Sequence, residues 1–93
     1  IITVSKSLNG NILELEIEKV KENRANNKVR AYDKKSLLLL KGFRISLFNK
    51  EKEVASNQIG NESIIFLDLK YDYYRLTLNN KGIYKGEISI LIK

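Results

Sequence analysis

From Gly42 to Lys93 the chain is a succession of short alternating segments, each closed by a polar turn. Apolar residues at every second position put one face of an extended strand into a core and leave the other to water, whereas a helix needs a 3.6-residue period. In Phe43–Phe48, Phe43, Ile45 and Leu47 share one face while Arg44 and Ser46 take the other. Phe66, Leu69, Tyr74 and Leu76 recur at spacings expected of a β-sandwich hairpin, carried by strands over Ser63–Leu69 and Tyr73–Leu78 joined by Lys70-Tyr71-Asp72. A last strand, Glu87–Lys93, aligns Ile88, Ile90 and Ile92.

The turns have their own signatures. Asn79-Asn80-Lys81-Gly82 is the clearest, because Asn and Gly tolerate positive φ. Asn49-Lys50-Glu51-Lys52 reads as a hairpin loop leading to a short return strand, Glu53–Ser56, and Asn57–Asn61 as another turn. There is no proline, so outward Lys and Glu are the guard against edge-to-edge pairing.

The first half is less regular. Ile2–Lys6 places Ile2 and Val4 toward a core, and Leu8-Asn9-Gly10-Asn11 is a turn. In Ile12–Lys21, Leu13, Leu15 and Ile17 alternate with Glu14, Glu16 and Glu18, which reads as a strand with one wet face. Leu13, Ile17 and Val20 also fit helical spacing, so an α+β arrangement with a helix near 12–30 is the alternative. Residues 22–35 are polar, with three Asn, and read as a long loop or a short helix plus loop. Ser36–Leu40 reads as the entry to a buried strand, and Gly42 as a bulge or tight turn. The expected fold is one all-β domain over 1–93, an antiparallel sandwich of about seven strands, prealbumin-like or immunoglobulin-like.

Composition narrows the chemistry. With no cysteine there is no disulfide, thiol nucleophile or zinc–thiolate site, and with no histidine there is no imidazole base or ligand. Catalysis would have to rest on Asp, Glu, Lys or Tyr alone, so the reading is non-enzymatic, with no cofactor and no metal. Asp68, Asp72 and Glu62 are too scattered for a calcium loop. Apolar runs stop at the length of Leu37–Leu40, far short of the roughly 20 residues that span a bilayer. The chain opens on IITVS and has no Met, as a mature fragment or excised domain of a larger protein would.

Seventeen Lys and Arg against eleven Asp and Glu give a net charge of +6, and nine of the cations fall between Lys19 and Arg44. Such a stretch attracts nucleic acid, anionic glycans or acidic headgroups, although Lys, Asn and Ile are abundant throughout the chain. A second cluster, Lys70, Tyr71, Tyr73 and Arg75, offers aromatic rings beside cations and is the candidate ligand surface. The structural alternative packs Tyr74 in the core while Tyr71 and Tyr73 cap the sandwich end.

In their order these pieces resemble the collagen-adhesin B-type repeat, a prealbumin-like (transthyretin-like) sandwich of Gram-positive surface proteins. ILELEIEKVK corresponds to the first strand with Lys19 at the family's lysine position, GFRISLFNKEKEVA to the second unit, and Asn61–Leu69 running on to Tyr74-Arg75-Leu76 to the third. Gly82-Ile83-Tyr84 stands for the family's "GY". The family's Lys–Asn isopeptide needs a carboxylic acid where this chain has Leu78, and ISILIK carries no Asn, so no isopeptide is expected and Lys19 should be a solvated strand lysine. The resemblance implies a secreted or cell-surface module, a spacer or an adhesion unit with a protein or glycan partner. The alternatives are a small basic β-barrel that binds nucleic acid and a protein-binding or inhibitor module that works through an edge such as Ile88–Ile92.

Overall fold

A computed structural model describes the backbone of all 93 residues and the side chains of 1–54 and 61–93. Eight strands account for the fold: β1 Ile2–Leu8, β2 Asn11–Lys21, β3 Arg24–Asp33, β4 Phe43–Asn49, β5 Lys52–Gly60, β6 Ile64–Lys70, β7 Asp72–Asn80 and β8 Ile83–Ile92. They form two antiparallel four-stranded sheets, ordered β1-β2-β3-β6 and β5-β4-β7-β8. The β-sandwich is therefore as expected, with one strand more than the sequence suggested.

The core lies between the sheets. Leu13, Leu15 and Ile17 of β2, Val29 of β3 and Phe66 of β6 meet Phe43, Ile45, Leu47, Leu76, Leu78 and Ile92 from the other sheet, all of them buried. Every strand that looked clear in the sequence uses the face its alternation assigns. Two-residue turns of left-handed residues join three of the four hairpins, Asn9-Gly10, Lys50-Glu51 and Lys81-Gly82, while Glu22-Asn23 between β2 and β3 has only Asn23 at positive φ. Paired positive φ values match the right-handed twist of the strands they connect.

Several expectations need correction, among them Ile2, which is 57% exposed rather than turned toward a core. Ile12–Lys21 is extended and residues 24–33 pair beside it along most of their length, so there is no helix near 12–30. Residues 22–35 are mostly strand β3 rather than loop. Their inward positions are Ala25, Asn27, Val29 and Ala31, and two alanines and an asparagine hide the alternation that larger apolar residues would advertise. Ser36–Leu40 is not a buried strand: Leu37 and Leu38 are exposed, and only Leu39 forms an isolated bridge, to Tyr32. Finally, Ser63–Leu69 and Tyr73–Leu78 do not form a hairpin, since β6 and β7 belong to opposite sheets and the segment between them crosses the sandwich. The turn expected at Asn57–Asn61 falls where β5 runs on to Gly60, and the side chains of 55–60 lie outside the described residues.

The connectivity has the immunoglobulin order. β2, β3 and β6 occupy the places of strands A, B and E, and β4, β5, β7 and β8 those of C, C′, F and G, with β1 added outside A. A tyrosine corner supports this assignment. The Tyr74 hydroxyl donates to the Lys70 carbonyl at 2.7 Å, at the crossing from β6 into the start of β7. The added strand turns the chain back, so that β1 begins and β8 finishes at one end of the sandwich, here called the terminal end. The opposite, loop end carries the β3–β4 connection and the β7–β8 turn.

Candidate functional site

The sandwich divides the tyrosine–basic cluster. Tyr73 and Arg75 both point outward from β7, because Tyr74 and Leu76 between and beyond them are buried inward. Lys70 ends β6 on the other sheet, where it pairs with Arg24, and its side chain is exposed there. Its carbonyl, not its ammonium, is the group that reaches β7. Tyr71 sits on the crossing, partly buried against the core, and its backbone N–H donates to the Asn23 carbonyl at 3.1 Å. Tyr74 is in the core and Tyr71 caps the terminal end, but Tyr73, 69% exposed, stands on the outer face of its sheet.

What Tyr73 and Arg75 gain is a neighbour that the sequence did not single out. Phe48 pairs with Arg75 across β4 and β7, and the Arg75 guanidinium lies over its ring, 4.4 Å from the centroid. Glu87 on β8 holds the other side of Arg75, with Nε–Oε2 at 3.3 Å. Stacked on one side and ion-paired on the other, the guanidinium is fixed in orientation. The Asn49 side chain donates to the Tyr73 carbonyl at 2.9 Å and ties the β4–β5 turn to β7. Asp72 is held below the usual carboxylate range, chiefly by the Tyr73 N–H and then by Asn49, so it stays ionised at the rim. Phe48, Lys50, Glu51, Tyr73, Arg75 and Ser89 line an open groove of about 290 Å³. It offers an exposed ring, a clamped cation and hydroxyl and carboxylate groups along its sides.

The remaining sequence candidates are structural in their contacts. Glu14 and Glu16 share Arg30 at 3.3 and 3.6 Å on the outer face of the first sheet. Asp68 takes a left-handed conformation and lies 3.8 Å from Lys21 and 3.9 Å from Arg24, far along the chain fold from Glu62. Among the described residues no three acidic side chains come together as metal ligands would. Lys19 is exposed, and Leu78 is fully buried. The basic stretch Lys19–Arg44 does not make one patch. Lys21 ends β2 and Arg24 opens β3 at the terminal end, and Lys34, Lys35 and Lys41 lie in the β3–β4 connection at the loop end. Lys28 and Arg30 face outward midway along β3, beside Glu14 and Glu16 of β2, which pair with Arg30.

No family model, no curated protein and no solved structure matches this chain.

Proposed function

We propose that this domain is a non-catalytic binding module of a secreted or cell-surface protein, taking a protein or glycan ligand in the Phe48–Tyr73–Arg75 groove. The observation that carries the reading is the clamped Arg75 beside the exposed Tyr73 ring. A large aromatic left 69% exposed next to an oriented cation is an arrangement that contributes to binding more than to folding. Cell-surface placement follows the resemblance to adhesin repeats. The glutamates Glu14 and Glu16, which stand beside Lys28 and Arg30 and break up the basic stretch, support this reading over a nucleic-acid interface, which needs a continuous cationic track.

Titration of the ¹⁵N-labelled chain with matrix proteins and with glycans tests it. Shifts should centre on Phe48, Tyr73, Arg75 and Ser89, and Tyr73→Ala should weaken binding by about tenfold or more. Shifts elsewhere, or a Tyr73→Ala variant that binds as the parent does, would refute the assignment of this groove. Binding to duplex DNA that collapses between low and moderate salt would favour the nucleic-acid alternative instead.

A second reading draws on β8. It is an edge strand whose far side has no partner strand, and Ile83, Tyr84 and Leu91 on it are exposed. Such an edge accepts an extended peptide by strand addition. Proline placed within Ile88–Ile92 would abolish a partner bound this way and leave one bound at Tyr73 in place.

A further inference from the structure

The loop end carries an apolar tip that neither the core nor the groove uses. Leu37 and Leu38 are 64% and 69% exposed, and Leu39 is 37% exposed, while Leu40 alone turns in to pack against the core. The loop that presents them is firmly built. The Asp33 carboxylate accepts from the N–H groups of Lys35 and Ser36, each at 2.9 Å, and from the Ser36 hydroxyl at 3.2 Å. The Asp33 backbone brackets the tip: its carbonyl accepts from the Leu37 N–H and its N–H donates to the Leu38 carbonyl. Leu40 is tied to the Ala31 carbonyl at 2.8 Å. Leu37 itself has φ 60, a conformation that a bulky side chain takes only when its surroundings impose it. Two leucines are thus held out to water by a hydrogen-bonded loop.

Their surroundings name the occupant. Lys34, Lys35 and Lys41 flank the leucines and are exposed. The β7–β8 turn brings Lys81 to the same end, together with Ile83 and Tyr84 at 61% and 57% exposure, and Lys85 follows. Against these five lysines the loop end has Asp33, whose carboxylate is committed to the turn, and Glu62. An apolar loop apex ringed by long cationic side chains complements a plane with acyl chains beneath a layer of anionic phosphates. The leucines enter the interface, and the lysine stems lie along it with their ammonium groups at the phosphates.

We propose that the loop end docks on anionic lipid bilayers, with Leu37 and Leu38 inserted at the headgroup boundary and the flanking lysines on lipid phosphates. This goes beyond the groove reading and does not depend on it.

Cosedimentation of the full chain with vesicles tests the proposal. Vesicles of equal parts phosphatidylcholine and phosphatidylglycerol should bind it, and pure phosphatidylcholine should bind it much less. Leu37→Ser with Leu38→Ser should weaken binding to the anionic vesicles by about tenfold or more. Lys34→Glu with Lys35→Glu should weaken it too, and Tyr73→Ala should not. Because the chain has no tryptophan, Leu38→Trp gives a single reporter whose emission should move to the blue on vesicle binding. That readout still decides the matter if the double serine variant fails to fold. Three results would overturn the proposal: no binding to anionic vesicles, binding indifferent to the leucines, or a Leu38→Trp emission that stays where it is in water. Duplex DNA or a protein partner that binds this end in place of vesicles would overturn it as well.

Discussion

Replacing Tyr74 by phenylalanine removes one oxygen and tests the corner that joins the two sheets. The ring is 6% exposed and stays buried in either residue, so the apolar contribution is unchanged. What is lost is the hydroxyl's 2.7 Å hydrogen bond to the Lys70 carbonyl. A bond of this kind contributes about 1 kcal/mol net, and a fully stranded buried acceptor would raise the cost to as much as about 3 kcal/mol. The bond is only partly buried, so the smaller figure applies. For a domain of this size about 1 kcal/mol corresponds to a fall of roughly 4–8 °C in Tm. Urea unfolding of the parent, Tyr74→Phe and Tyr73→Phe separates the effect from the generic loss of a hydroxyl. Tyr73 projects outward, so its variant should stay within about 0.5 kcal/mol of the parent. Tyr74→Ala should cost about 3–5 kcal/mol, because it empties part of the core as well. The reasoning fails if Tyr74→Phe matches Tyr73→Phe, or if Tyr74→Ala costs no more than Tyr74→Phe.

Further outcomes follow from the same structure. Burial, and after it the charge of Asp72, push the Tyr74 hydroxyl above its ordinary pKa, with Arg24 opposing. A raised folded-state pKa stabilises the fold fully below the unfolded value near 10 and loses that contribution as pH climbs past it, so the gap between parent and Tyr74→Phe in urea midpoints should close at high pH. Asn27 is completely buried, and among the described residues neither of its side-chain polar atoms has a hydrogen-bond partner; Asn27→Val should raise the unfolding free energy by about 1–3 kcal/mol, and a loss of stability would show that the amide is satisfied after all. Gly86 has φ 119, and a Cβ there would meet Leu8 Cδ1 at 3.0 Å and Asn9 Nδ2 at 3.2 Å. Gly86→Ala should therefore cost roughly 1–3 kcal/mol in the same assay, and an unchanged midpoint would mean that β1 yields freely.

The second half of the chain was legible because its inward positions are large and apolar: Phe43, Ile45, Leu47, Leu76, Leu78 and Ile92 each declare a face. β3 was not, because Asn27 occupies a core position and Ala25 and Ala31 are too small to mark one. The Leu37–Leu40 run misled for the opposite reason, since four leucines look buried until Asp33 is seen to fold the loop so that only Leu40 turns in. Of the groove, Tyr73 and Arg75 could be read from the sequence and Phe48 could not, because their meeting depends on the pairing of β4 with β7 across two intervening strands and a crossing. Sheet membership likewise separates Lys70 from Arg75, although only four residues lie between them in the chain.

The added strand β1 also decides how this fold would bear tension. Chain entry and exit lie at one end, on the two edge strands β1 and β8. A pull applied there would peel each edge strand from its neighbour one hydrogen bond at a time, like a zipper, whereas a strand pulled along its length must break its ladder together. In a single-molecule stretching trace the domain should yield at lower force when held by its ends than when held across the sandwich, from the terminal end to Leu38.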